Sequence, residues 1–376
     1  MKIDKVKLYK LKMPLKWPFE TSFGRLTDKE FIILKAYGDG AEGYGESASL
    51  PFPVYNEETT GTVWYMLKKF LLPKLFEQKE VGHPEEISEL FKPIRRNYMA
   101  KATLEGAVWD LYSKQRGLPL SEVLGGTKTE IDVGVSIGIE PTVAEVLQKV
   151  DRFMKEGYKK IKVKIKPGFD IEPIMAIRKE FGEDVPLMAD ANSAYSLDQI
   201  NLLKELDQFN LMMIEQPLSH DDIIDHAKLQ RLISTPVCLD ESIHSLEDAK
   251  KAVELGSCKI INIKIGRVGG LTEAKKIHDF CNENGIPVWC GGMLEAGVGR
   301  AHNIALSSLA NFTIPGDTSA SSRYWERDIV EPEVTFNKPG KLEVPSNSGI
   351  GYNINEHVLR NYLVEEEEFL KEKAYF

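Results

Sequence analysis

The sequence predicts an α/β barrel preceded by a smaller α+β domain, and three observations carry that reading. First, apolar runs ending in a charge recur at nearly constant spacing: Lys164 in KIKVKIK, Asp190 in VPLMADAN, Glu215 in LMMIEQP, Asp240 in PVCLDES and Lys264 in IINIKIG. The steps are 26, 25, 25 and 24 residues, about the length one strand, one helix and two short loops consume. Second, stretches with helical spacing lie between the runs, which argues for parallel strands joined by crossover helices. Third, 376 residues exceed what one ordinary core organises, so two domains are expected.

Taken in order, Lys5 to Leu15 alternates with period two, and residues 30–47 hold two strands around the turn Gly38-Asp39-Gly40. WPFETSFGR, residues 17–25, has aromatics and Gly but no clear period, and reads as a loop. Residues 56–77 and 84–96 have helical spacing, and 99–116 is an amphipathic helix stopped by Gly117. These elements give an α+β domain over 1–125. The barrel is expected over 126–320, with strands near 131–138, 160–166, 186–192, 211–217, 236–242, 260–266, 287–293 and 311–316. Helices are expected over 143–156, 171–181, 197–208, 221–233, 246–255 and 271–284. The remaining segment, 321–376, carries the run EEEEFLKEK, read as a solvated helix face.

The bulk composition narrows the function. A net charge of −9 and a pI near 5.5 argue against nucleic acid or an anionic membrane as partner. No segment approaches the length of a membrane span, and the N-terminus has no uninterrupted apolar stretch, so a cytoplasmic protein is expected. Cys238, Cys258, Cys281 and Cys290 show no metal-ligand spacing; Cys238 and Cys290 fall in predicted strands, which favours buried free thiols.

A charge at the end of each of five consecutive strands gathers five groups at the C-terminal rim of the barrel, where such barrels do their chemistry. Asp190, Glu215 and Asp240 come from adjacent strands about 4.8 Å apart. Three anions that close repel one another unless a cation lies between them. An all-oxygen donor set suits Mg²⁺, or Mn²⁺, better than Zn²⁺. Lys164 and Lys264 sit on the strands before and after this trio, so their amines face whatever the metal holds from opposite sides. Either lysine alone would read as an ion-paired side chain; the symmetric placement favours an acid/base pair. Lys162 shares the face of Lys164, and its charge together with the dication is expected to lower the pKa of Lys164 toward that of a usable base. A dication on a substrate carboxylate acidifies the α-proton by stabilising the enediolate. Two bases on two faces then permit 1,1-proton transfer.

Further positions fit around this core. Asn192 lies two residues past Asp190, Asn262 two before Lys264, and Ser136 on the first strand. Arg267 reads either as a charge tuning Lys264 or as a plain salt bridge. CGGMLEAGVGR, residues 290–300, opens a helix with bare backbone amides. His302 reads as a packed helix residue.

The motifs KVK (162–164), DAN (190–192), EQP (215–217), DES (240–242), KIGRVGG (264–270), CGGMLEAGVGRAHN (290–303) and PGDTSASSRYW (315–325) resemble those of the muconate-lactonizing-enzyme subgroup of the enolase superfamily. The last two segments resemble the branch that holds o-succinylbenzoate synthases and N-succinylamino acid racemases. The resemblance implies a modified TIM barrel of (β/α)7β type with an N-terminal α+β capping domain completed by the C-terminal tail. It implies Lys164 and Lys264 as the acid/base pair and Asp190, Glu215 and Asp240 as ligands of Mg²⁺. In a syn dehydration Lys164 would be the base, and Lys264 would stay protonated beside the enolate. It further implies substrate contacts from Phe19, Phe23 and Leu50 of the capping domain and from Gly292 and Met293, with a small carboxylate as substrate; a symmetric homo-oligomer is the default expectation for any such chain. Dipeptide epimerases carry a paired-aspartate motif where this chain has Gly316-Asp317-Thr318-Ser319, and mandelate-type enzymes place a His/Asp dyad where it has Lys264. A catalytically silent barrel would have lost one of the lysines.

Overall fold

A computed structural model describes residues 1–21 and 24–373. Strands β1 (Ile3–Thr21), β2 (Gly24–Gly38) and β3 (Ala41–Glu46) form an antiparallel meander, with Asp39 and Gly40 at positive φ in the second turn as a tight hairpin requires. The run Phe31-Ile32-Ile33-Leu34 is apolar throughout because both faces of this sheet are buried. Tyr9, Leu11, Phe31 and Ile33 join the barrel's core, while Val6, Leu8, Ile32 and Leu34 pack with the helices of the first domain. Those helices are Thr60–Met66, continued through a π turn into Leu72–Phe76, then Glu85–Phe91 and Tyr98–Arg116. The last ends at Gly117 with φ 67°.

Within 17–25, the described residues 17–21 and 24–25 depart from the expected loop, and the part of that expectation on 22–23 lies outside the described residues. β1 runs on to Thr21, pairing Phe19 with Leu26, Glu20 with Arg25 and Thr21 with Gly24. The register slips between Pro14 and Phe19. Pro14 and Pro18 lack the N–H a ladder needs, and the slip erases the alternation by which a strand is recognised.

The barrel strands are β5 (Gly134–Ile137), β6 (Lys160–Lys164), β7 (Leu187–Asp190), β8 (Ile214–Glu215), β9 (Val237–Leu239), β10 (Ile260–Ile263) and β11 (Val288–Cys290), parallel and adjacent in chain order. β4 (Glu130–Asp132) pairs outside this sheet with β13 (Lys341–Glu343). The expected eighth strand, 311–316, appears only as single bridges, Phe312 to Val288 and Gly316 to Val133. The Gly134 N–H donates to the Gly316 carbonyl at 2.6 Å and the Asp317 N–H to the Cys290 carbonyl at 2.9 Å. This segment thus spans the gap between β11 and β5, and Pro315 keeps it from forming a regular ladder. Helices Ile171–Phe181 and Leu246–Leu255 occupy the expected spans, whereas 221–233 contributes only Ile224–Gln230.

The tail holds a short β12 (Val330–Glu331) paired with β14 (Asn353–Ile354). The acidic run is not a helix. It lies in β15 (Leu363–Leu370), antiparallel to β1 at the edge of the first sheet. Glu365 pairs with Lys10 at 2.5 Å, Glu367 with Lys68 at 2.7 Å and Glu368 with Lys7 at 3.2 Å. Charge on an edge strand discourages pairing with other chains, so a solvated strand serves this composition as well as a helix does. Among the described residues no helix is long and apolar enough to cross a membrane, and all four cysteines are buried and free.

Candidate active site

The parallel register brings the rim charges together. Lys164 is opposite Asp190, and Asp190 opposite Glu215, on β6, β7 and β8. Glu215 is opposite Cys238, and Asp240 lies two residues farther on the same side. Lys264 follows the last residue of β10. All five side chains are buried.

Each carboxylate is held by cations and amides. Lys164 Nζ donates to Asp190 Oδ2 at 2.6 Å and to Asn192 Oδ1 at 2.5 Å. Lys162 Nζ donates to Glu215 Oε2 at 3.2 Å and lies 3.3 Å from Asp190 and 2.5 Å from Asp317. Lys264 Nζ donates to Asp240 Oδ2 at 2.8 Å. Asn262 Nδ2 donates to Glu215 Oε1 at 2.7 Å. Arg267 donates to Asp240 Oδ1 and, through Nε, to the Ile243 carbonyl at 2.6 Å. Its direct charge partner is therefore Asp240 rather than Lys264. Asn192, with φ 41°, spans to Glu241 Oε1 at 2.9 Å while its N–H reaches Asp190 at 3.0 Å.

These contacts set the protonation tendencies. Burial, then the charge of Asp190, pushes Glu215 up to about 8. Burial also acts to raise Asp190, but Lys164 and Lys162 outweigh it and hold that carboxyl well below the usual range. Burial acts to lower Lys264, and Asp240 foremost reverses it, leaving the ammonium favoured. Lys162 is likewise raised: burial opposes its charge, but Asp317, Glu215 and Asp190 win. The charge expected to press on Lys164 is thus neutralised by three carboxylates.

The trio fits a hard divalent cation by donor chemistry: three buried carboxylates on adjacent strands, with Glu215 carrying the anion crowding that a cation relieves. In this structure the side chains turn to lysine and arginine instead, and among the described residues no three His, Cys, Asp or Glu side chains are gathered as a ready-made metal cluster.

Phe19, Leu50, Ser136, Lys162, Lys164, Asn192, Lys264, Gly292 and Met293 line one cavity. Ser136 Oγ is buried there with no hydrogen-bond partner among the described residues. Asn262 and Arg267 are not among the lining residues and instead hold Glu215 and Asp240, and Phe23 lies outside the described residues. His302 is packed in its helix, its ring nitrogens at 2.9 Å from the Val298 carbonyl and 3.1 Å from that of Gly106.

Sequence reasoning missed four groups. Tyr55 Oη stands 3.3 Å from both oxygens of Asp240, with its ring 4.5 Å from Lys264 Nζ. Glu241 steadies Asn192. Asp317 grips Lys162, and Lys160, 3.1 Å from Asp317, lies over the Trp289 ring at 3.4 Å. Asp317 follows the eighth barrel segment and obeys the same strand-end rule that revealed the others. Glu241 stood beside Asp240 in the DES motif. Only Tyr55, brought in from a loop of the first domain, had no periodic signal.

Fold and site together define a barrel enzyme with an α+β cap and a carboxylate-lysine rim. Residues 3–125 match the N-terminal domain of the mandelate racemase / muconate lactonizing enzyme type, and residues 145–358 the enolase C-terminal domain-like type. The chain belongs to this family within the enolase superfamily. It is 59% identical over 361 residues to an o-succinylbenzoate synthase of Geobacillus kaustophilus, covering 96% of each chain. It is 49% identical over 354 residues to an N-succinylamino acid racemase of Thermus thermophilus, covering 94% of this chain and 95% of the relative. A crystal structure of an enolase-superfamily member from Listeria innocua superposes with TM-score 0.95 at 47% identity, covering 99% of this chain and all of that one.

Proposed function

We propose that this site abstracts the proton α to a carboxylate, serving o-succinylbenzoate synthesis, racemisation of N-succinylamino acids, or both. The observation that carries the reading is the placement of Lys164 and Lys264 on strands flanking three buried carboxylates, both lining one cavity. The activities named for relatives at 59% and 49% identity support it.

Asp190, Glu215 and Asp240 would hold Mg²⁺, which stabilises negative charge developing on a substrate carboxylate. The two amines do the proton chemistry. In racemisation one lysine, neutral, takes the α-proton; the other, as ammonium, delivers a proton to the opposite face, and the roles exchange for the other enantiomer. In dehydration Lys164 takes the α-proton, the β carbon–oxygen bond breaks, and the Lys164 ammonium gives that proton to the departing hydroxide, which leaves as water from the same face. Lys264 remains an ammonium and stabilises the enolate oxygen, a part that its Asp240 contact favours. The first domain and the returning tail would cap the cavity, contributing Phe19, Leu50 and Tyr55 to the wall.

The test is α-proton exchange in D₂O with Mg²⁺ and one enantiomer of an N-succinylamino acid, followed by NMR and polarimetry. Exchange with loss of rotation establishes two-face chemistry. Exchange with retention assigns one lysine as base and favours the synthase. No exchange removes the racemase reading for that substrate, and no o-succinylbenzoate from its hydroxylated succinyl precursor removes the synthase.

A further inference from the structure

One wall of the cavity, residues 292–295, belongs to the barrel, yet the side chains that fix it come from the first domain. Lys29, on β2, is fully buried and donates to two successive carbonyls of that wall, Met293 at 2.8 Å and Leu294 at 3.1 Å. Leu294 has φ 58°, a left-handed conformation that costs a leucine energy unless its surroundings impose it. Glu46, the last residue of β3, takes up the amides that follow: Ala296 N–H at 2.7 Å and Gly299 N–H at 2.7 Å. These stand at the start of helix Gly297–Ser307, which gets no side-chain cap from Ala296. Lys29 Nζ and Glu46 Oε1 are 3.9 Å apart, with both side chains fully buried. Glu295 and Arg300 are the other charges facing them. Glu295 accepts the Met293 N–H at 2.8 Å, and Arg300 donates to the Glu295 carbonyl at 2.7 Å. Gly299 permits the approach, since a Cβ there would stand 3.2 Å from the Glu46 carboxyl carbon and 2.8 Å from Glu295 Cγ.

We propose that Lys29 and Glu46 are positioning residues: they pin the Gly292–Glu295 wall of the barrel to the capping sheet, so the first domain sets substrate affinity through the barrel's own loop. Neither side chain lines the cavity, and both act on backbone. A structural salt bridge alone needs no such arrangement. Here the cation spans the two peptide carbonyls that bracket a strained residue, while the anion caps the helix immediately after it. The kinetic part of the proposal rests on the substrate reading above; the structural part rests on geometry alone.

Lys29→Met removes both carbonyl contacts while keeping the alkyl stem. The expected result is a KM for the N-succinylamino acid raised about tenfold with kcat within about threefold, because the lysines that move protons stand on other loops. Amide hydrogen exchange over 293–299 should quicken about tenfold, with β6–β8 unchanged. If Lys29→Met fails to fold, Glu46→Gln decides, since it keeps the shape while weakening the hold on the Ala296 and Gly299 amides, and should give a KM rise in the same direction. Equal KM and equal exchange protection in the soluble variant overturn the proposal, as does a fall in kcat with KM unmoved. If the wild type exchanges no α-proton and makes no o-succinylbenzoate, the substrate reading fails, and the amide-exchange result still decides the positioning claim.

Discussion

Glu105 offers a test of how the two domains are joined, and its sign can be worked from the structure. It lies fully buried in helix Tyr98–Arg116 of the first domain and accepts the Thr272 N–H at 3.3 and 3.4 Å, at the start of barrel helix Leu271–Glu283. A Cβ on Gly270 would stand 1.8 Å from its Oε2, so the glycine is what admits it. Burial pushes its carboxyl up from 4.5 to about 7, against the hydrogen bonds from Thr272. A folded-state value above the unfolded one means that this group's contribution is fully present below about pH 4.5 and is lost as pH rises through about 7. The size is about 3 kcal/mol as an upper figure. For a chain of this length that is about 4 °C in Tm. Glu105→Gln keeps an acceptor for Thr272 and stays neutral at every pH. Calorimetric scans of both proteins at pH 5 and pH 8.5 should therefore show the variant's Tm gaining about 3 °C on the wild type between the two conditions, part of the effect being already spent at pH 5. An unchanged difference would refute the account of Glu105 as a neutral acid at the domain junction.

The two lysines should separate by enantiomer. Lys164→Ala and Lys264→Ala should each lose about 10²–10⁴-fold in α-proton exchange, and the residual exchange of each variant should be confined to the opposite enantiomer, read by NMR in D₂O. Dialysis against a chelator should abolish turnover and Mg²⁺ should restore it, with calorimetric titration showing one binding event that Glu215→Gln weakens. Gly291→Ala places a methyl 2.4 Å from Asn262 Oδ1 and 2.7 Å from Lys264 Cε. It should cost about 10²-fold in kcat while Tm stays within a few degrees; an unchanged kcat would mean Lys264 need not be held where it stands.

Strands β6 to β10 and the five rim charges were legible because period and charge coincide: each buried strand is an unbroken apolar run, and a charge at its end has only the rim to go to. The edge strand β15 was not legible, because a solvated face tolerates glutamates in any secondary structure. The pairing of residues 19–21 with 24–26 was hidden by two prolines that shift the register, whereas the eighth barrel segment was expected over 311–316 and Pro315 reduces it to bridges. At the site, the five charges at strand ends were found, Lys160 on β6 and Glu241 beside Asp240 were passed over, and the residues acting across the fold left no signal. Tyr55 reaches Asp240 over 185 positions of chain and Lys29 reaches Met293 over 264. Such contacts leave no periodic trace, since they depend on how two domains dock.

The charges buried at the rim bear on what the substrate must carry. Asp190, Glu215, Asp240, Glu241 and Asp317 meet Lys160, Lys162, Lys164, Lys264 and Arg267, all buried, so the formal charges cancel when every group is ionised. That balance is strained at two acids. Burial foremost, then Asp190, lifts Glu215 to about 8; burial foremost, then Asp240, lifts Glu241 to about 7. A dication held by the trio would turn Glu215 back into a carboxylate and add two positive charges. Uncompensated charge in such a place is costly. With one lysine neutral as the base, one positive charge remains, and the two carboxylates of an N-succinylamino acid, like those of the succinyl-bearing precursor of o-succinylbenzoate, more than compensate it. An unacylated amino acid, bearing an ammonium as well, brings no net charge and leaves that positive charge standing. Under the proposed function, with a dication held by the trio, the electrostatics of the buried site would favour a diacid over a zwitterion before any contact to the succinyl chain.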